Sequence, residues 1–331
     1  MRKILLMCAV CASIAVMATE GALSGKFTIN TDGDQVFFSK GNLQYDTTNN
    51  IWSFAKNQYD MIGLSNGECD TMDLFGWGTG ANPTTKVLCE VFNDWGANAI
   101  SNGGNEANLW RTLTIDEWAY LFAQRPNASS LMGLATIGGH TPGLVLMPDN
   151  WTGSGFTASI AESSDYRTQY YYYHFGEGDH YEDNTYTIEQ WEALEAQGAV
   201  FLPAAGIVSN DVVQMVHAVG DYWTSTSFIP ESGGGKGKLP AKRIGASTNA
   251  TQEYLNAYVI QFDDNSSFSG HIRELDTRMS VRLVQSAPKS DATGIEGVQS
   301  TENRVQKVIR DGKVLLLRGN KTYNTQGQQV R

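Results

Sequence analysis

The densest group of side chains able to do chemistry is His174-Phe175-Gly176-Glu177-Gly178-Asp179-His180-Tyr181-Glu182-Asp183, with two imidazoles and four carboxylates inside ten residues. Nitrogen and carboxylate oxygen at such close spacing is what a divalent metal takes. The same spacing suits a solvated acidic loop ahead of a helix, which is the expected reading. The five histidines, His140, His174, His180, His217 and His271, have no His-Glu-x-x-His spacing, and the chain has no P-loop. Gly76-Trp77-Gly78-Thr79-Gly80 is glycine-rich, yet it lacks the strand before and the helix after that would aim amides at a phosphate, so it reads as a turn. Cys69 and Cys89 have no neighbouring Cys-x-x-Cys or histidine partner for zinc. As a pair in an oxidising compartment they form a possible disulfide worth about 3 kcal/mol if the geometry allows it, the alternative being two buried thiols.

Oxygen-rich turns are the remaining candidates. Thr31-Asp32-Gly33-Asp34 lacks the acidic residue at the twelfth position of a calcium loop and reads as the turn of a hairpin, with Phe27 and Ile29 on one arm and Val36 and Phe38 on the other. Asp263-Asp264-Asn265 offers oxygens to calcium or, equally, the tip of a turn. No cofactor and no metal is expected beyond that calcium possibility.

These residues need elements to hold them. Thr114 with Glu117, and Thr187 with Gln190, have capping-box spacing, and a tryptophan follows each box. Trp118, Leu121 and Phe122 form one apolar stripe ended by Pro126; Trp191 and Leu194 form another ended by Gly198. Strand-like runs are 144–147, 199–202, 222–223, 257–262 and 281–284, between Gly, Asn and Ser clusters. Two main helices, short strands and long loops indicate an α+β domain. Tyr170 to Tyr173 reads as an amphipathic strand in which alternate rings face opposite sides.

The first residues read as an address. Arg2 and Lys3 precede an apolar run, and 1–18 is expected to be a removed signal peptide, since the run is too short to span a bilayer. No transmembrane segment is expected later. The formal charge of −11 is the balance of +2 on 1–18, +6 on 304–331 and −19 on 19–303. So acidic a body repels phosphate backbones, and no nucleic acid partner is expected.

Four motifs stand in order along the chain: Trp-Arg-Thr-Leu-Thr-Ile-Asp-Glu-Trp (110–118), Ala-Val-Phe-Leu-Pro-Ala-Ala-Gly (199–206), Gly-Asp-Tyr-Trp-Thr-Ser-Thr-Ser (220–227) and Ser-Val-Arg-Leu-Val (280–284). Together they resemble the Fibrobacter succinogenes major paralogous domain group, which belongs with formylglycine-generating (sulfatase-modifying) enzymes in the C-type-lectin-like fold. The resemblance implies a C-type-lectin-like domain over 19–287. The linker composition of 288–303 and the strand-like runs of 304–331 follow it, and that β-rich tail resembles the C-terminal tails of proteins exported by the Por (type IX) secretion system. The expected location is therefore outside the cell or on the outer surface of a bacterium.

Formylglycine-generating enzymes use a late pair of cysteines, and this chain has none after Cys89, so the resemblance implies the scaffold without the reaction. Relatives of this fold vary the surface before the closing strand, where this chain has Arg243, Asn249, Tyr254, Asn256, Tyr258, Asp263, Asp264, Asn265 and Arg273. Thr224, Ser225, Thr226 and Ser227 border that stretch, with Trp223 expected beneath it as a core anchor. Tyrosine and amide side chains are adaptable contact residues. The expected function is a non-catalytic protein that binds a glycan or protein ligand through loops between 220 and 275. The alternatives are a diverged enzyme of the same fold or a structural tip subunit of a surface assembly.

Overall fold

The computed structural model describes residues 20–62, 70–85, 89, 91–159, 161, 170–228 and 256–288, the backbone of 163–167, and tail strands between 305 and 330. The expected signal peptide, Cys69, Arg243, Asn249 and Tyr254 lie outside the described residues. The chain separates into two units, Met1–Pro288 and Lys289–Arg331.

The first unit is α+β, with strands predominating. The expected hairpin forms: Phe27 pairs with Val36 and Thr28 with Gln35. Its turn is closed by Asn30, whose side-chain oxygen accepts from the amides of Asp32 and Asp34 while its amide donates to Asp34. Gly33 supplies the positive φ of 74° that the turn requires. Strand Gln35–Phe38 then pairs with the closing strand Leu283–Ser286, which also pairs with Arg111–Thr112. One sheet thus joins the beginning, the middle and the end of the unit.

Both helices form behind their capping boxes, α1 over Ile115–Ala119 and α2 over Ile188–Glu195. The α1 path widens into a π-helical turn at Tyr120–Gln124 before the chain straightens at Arg125, ahead of Pro126. Trp118, Leu121 and Phe122 are buried with Phe27, Phe38, Tyr222 and Phe262. Trp191 and Leu194 of α2 pack on the antiparallel pair Met132–Ile137 and Thr141–Leu146 through Ile137 and Val145, and on Phe201 of the strand beside it. That pair extends to Val200–Pro203 on one side and Thr185–Tyr186 on the other. No described helix is long and apolar enough to cross a membrane.

The stretch expected to carry the contacts is built on an antiparallel five-stranded sheet in the order Gly220–Phe228, Asn256–Phe262, Ser266–Glu274, Tyr170–His174, Ser163–Arg167. Trp223 is 1% exposed, and its indole donates to Phe75 O at 2.7 Å. Trp77, in the glycine-rich turn, donates to Thr224 O at 2.9 Å. Two indoles therefore pin this strand to the segment 75–80, whose glycines serve packing: a Cβ on Gly80 would lie 2.5 Å from Asp94 O. The second unit is an antiparallel sheet of Val305–Arg310, Lys313–Arg318, Lys321–Asn324 and Gln329–Val330.

Candidate binding surface

Among the described residues, the expected contact residues do not form one patch. Asn256 and Phe262 end the same strand, six steps or about 20 Å apart. Ser227, Asn256, Tyr258 and Ile272 lie toward one end of the sheet, while Asp263, Asp264 and Asn265 turn the chain at the other. The single site read from the sequence is corrected to two separate groups, because strands of this length carry their ends beyond side-chain reach of each other.

At the Asn256 end, two of the four hydroxyls expected to border a ligand, those of Thr224 and Thr226, serve the scaffold. Thr224 is fully buried and donates to Tyr258 O at 2.8 Å. Thr226 Oγ1 accepts from the amide of Ile115 at 3.1 Å, satisfying a donor in the first turn of α1 that has no partner within the helix. The amide of Ser225 donates to Leu113 O at 3.0 Å. A register shift between Trp223 and Ser227 produces this arrangement and leaves Ser227 exposed. Thr224 and Thr226 are therefore positioning residues.

Tyr258 is half-buried between two aromatic rings, edge-on to Tyr170 at 5.0 Å and to Phe228 at 5.4 Å. Burial raises its phenol pKa, with Asp116 adding to the effect. Tyr170 OH donates to Asp116 of α1 at 3.2 Å, so the aromatic row is tied to the helix. Gly270 permits this approach, since a Cβ there would lie 2.3 Å from the Cβ of Tyr170. On the same face around this row the surface consists of Asn256, Ile272 and Glu274, with Ile272 38% exposed, while Ser227, paired with Ala257, turns to the other face. The sequence contains the signal for Ile272 only as strand alternation and gives none for the part played by Phe228.

Arg273 does not reach outward as a free cation. Its Nε donates to Asp221 at 2.8 Å, and Asp221 has no exposed side-chain surface. Burial pushes the Asp221 carboxyl up to about 6 even though Arg273 pulls it down. His271, on the same strand, is held down at about 4 by burial and then by the charge of Arg273, which leaves a neutral ring at physiological pH.

At the other end, Asp263 Oδ1 accepts from Asn265 N and from Ser266 Oγ at 2.6 Å. Asp264 O accepts from His180 N and Asn265 O from Phe175 N, both at 2.8 Å. The turn is thus laced to the acidic loop, where Asp179 caps a short helical turn and His180 pairs with Asp183 at 2.9 Å. Of the oxygens offered to calcium in the sequence reading, Asp263 Oδ1 and the backbone carbonyls of Asp264 and Asn265 serve these contacts. Among the described residues no group of three or more His, Cys, Asp or Glu is gathered as a metal site would need. Cys89 is partly buried, and any bridge to Cys69 lies outside the described residues.

Among the described residues, three cavities accompany these surfaces. One of about 290 Å³ lies among Phe122, Arg125, Ser129, Met132, Tyr173 and Phe175. Another, of about 140 Å³, touches Thr79, Asn210, Asp276 and Arg278. The third, of about 340 Å³, runs beside α1 between Ile29, Asp116, Tyr120, Gln124 and Tyr170, and through Asp116 and Tyr170 it is continuous with the aromatic row. None of the three is lined by a residue of the predicted contact set.

No protein-family model, curated protein or solved structure matches the chain.

Proposed function

We propose that this chain is an exported, non-catalytic binding protein with a C-type-lectin-like scaffold, which recognises a glycan or protein ligand on the outer face of a bacterium. The recognition surface is the Asn256 end of the five-stranded sheet together with the groove beside α1. One observation carries the reading: Tyr258 is clamped between Tyr170 and Phe228, and this fixed row is bordered on the same face by the partly or fully exposed Asn256, Ile272 and Glu274. Rigid aromatic area with an amide group beside it suits contact at low entropic cost. The four-motif resemblance supports the scaffold assignment, and the two helices with short strands agree with it.

Screening the purified chain on a glycan array, and by capture from a bacterial surface proteome, tests this reading. Asn256→Ala and Ile272→Ala should each weaken capture while leaving the melting temperature nearly unchanged. Tyr258→Phe, which keeps the ring contacts, separates loss of a hydroxyl contact from loss of packing. Substrate turnover by the purified chain without added partners would favour the enzymatic alternative instead.

A further inference from the structure

The hairpin Ile207–Ser209 and Val212–Gln214 carries a feature that the binding surface does not use. Its two-residue turn, Asn210-Asp211, has φ of 51° and 59°, the paired left-handed conformation of a type I′ turn. The inner strand is fully engaged: Val208 donates its amide to Arg278 O and accepts from Arg278 N, both at 2.9 Å. Opposite residues in an antiparallel ladder alternate between bonding toward each other and bonding away. Val208 bonds away from the hairpin, so its ladder partner Val213 points its own N–H and C=O to the outside. Among the described residues neither group has a backbone partner.

The surface beside this open edge is apolar. Val212 is 56%, Met215 50% and Val216 38% exposed, which places three of the six large exposed hydrophobics of the described chain within five positions. Met215 also has a φ of 58°, a conformation costly for a non-glycine residue. The Val213 side chain packs inward on Leu74, Ala205 and Val208, so the edge strand is anchored to the body. Sheet edges are ordinarily blunted by lysine, proline or an inward charge. The run Val212-Val213-Gln214-Met215-Val216 has none of these.

We infer that this edge pairs with the same edge of a second copy of the chain, antiparallel about Val213. A residue that presents both its donor and its acceptor on one side is self-complementary across a two-fold axis: Val213 of each copy exchanges both backbone bonds with its twin. Val212 then lies opposite Gln214 of the other copy, and the two hairpins form one continuous four-stranded sheet. The lack of charge from Val212 to Val216 lets two acidic molecules meet here without like charges in contact. Three paired residues and three apolar side chains fall short of the roughly 800 Å² per partner of a stable interface, so the dimer is a weak one that forms at high local concentration.

Sedimentation velocity on the purified full chain over a range reaching high micromolar concentration tests this. The expected result is a reversible monomer–dimer equilibrium. Val213→Pro removes an amide that the monomer leaves unused, and it should weaken association about tenfold, as loss of a pair of backbone bonds would. Val212→Lys leaves the backbone intact and should also weaken association, which guards against misfolding of the proline variant. Exchange of the Val213 amide should be fast in dilute solution and slowed in concentrated solution. A chain that stays monomeric throughout, or a dimer insensitive to both substitutions, would overturn the inference.

Discussion

Asp221 places a carboxyl group where water does not reach it. Its pKa of about 6 in the folded state lies above the ordinary 3.8, so the native state holds this proton more tightly than the unfolded chain does. The favourable contribution is complete below about pH 4, declines as the pH rises toward 6, and is absent above that. Asp221→Asn should abolish this part of the pH dependence, which is on the order of 2–3 kcal/mol between pH 4 and 7. Urea unfolding of both proteins across that range measures it; parallel profiles would show that Asp221 is not the group responsible. Thr226 gives a second prediction at this scale. Thr226→Val removes the acceptor for Ile115 N and should cost about 1 kcal/mol of stability, with no effect on ligand capture. Loss of capture at unchanged stability would return Thr226 to the contact surface. The cluster of hydroxyls at 224–227 was legible in the sequence, but the side to which each points was not. A register shift between Trp223 and Ser227 changes the alternation that a period of two assumes.

Local signals worked best where they were self-contained. Each capping box satisfies two donors within four residues, Thr114 with Glu117 and Thr187 with Gln190, so the helices start where the sequence says they should. Thr114→Ala should destabilise the protein by about 1 kcal/mol, and the more exposed Thr187→Ala by less, as read from denaturant midpoints. Equal losses would show that burial of the α1 cap adds nothing. Strands were harder to read. Met132–Ile137 and Ser266–Glu274 contain glycine, serine and alanine at positions where a lone strand would show apolar residues, because their neighbours approach closely enough to make small side chains necessary. Gly270 beneath Tyr170 is one such position, and its reason lies on another strand. The tyrosine run was legible as a strand, whereas its tie to α1 through Asp116 depends on residues 54 apart.

For the whole first unit, closure depends on the last strand finding the first. Leu283–Ser286 lies between Gln35–Phe38 and Arg111–Thr112, and next to it Arg282 is buried. Its guanidinium donates to Ser39 O at 2.9 Å and to Phe201 O, linking the closing sheet to the sheet under α2. Burial lowers its pKa to about 10. A planar fork can serve two carbonyls at once and an ammonium on a flexible stem serves them poorly, so Arg282→Lys should cost on the order of 2 kcal/mol or more. A smaller loss in thermal or urea unfolding would mean that the two sheets hold together without it. The motif containing Arg282 was recognisable along the chain, but its role as a buried link across 243 and 81 residues was not.

The most direct test of a binding surface at the Asn256 end of the sheet is hydrogen–deuterium exchange of the full chain, alone and saturated with the ligand that the array or capture returns. Protection over 225–228, 256–258 and 271–274, with the cavities beside Tyr173 and beside Thr79 unchanged, is the predicted result. Protection at either of those cavities with the sheet end unchanged would contradict it.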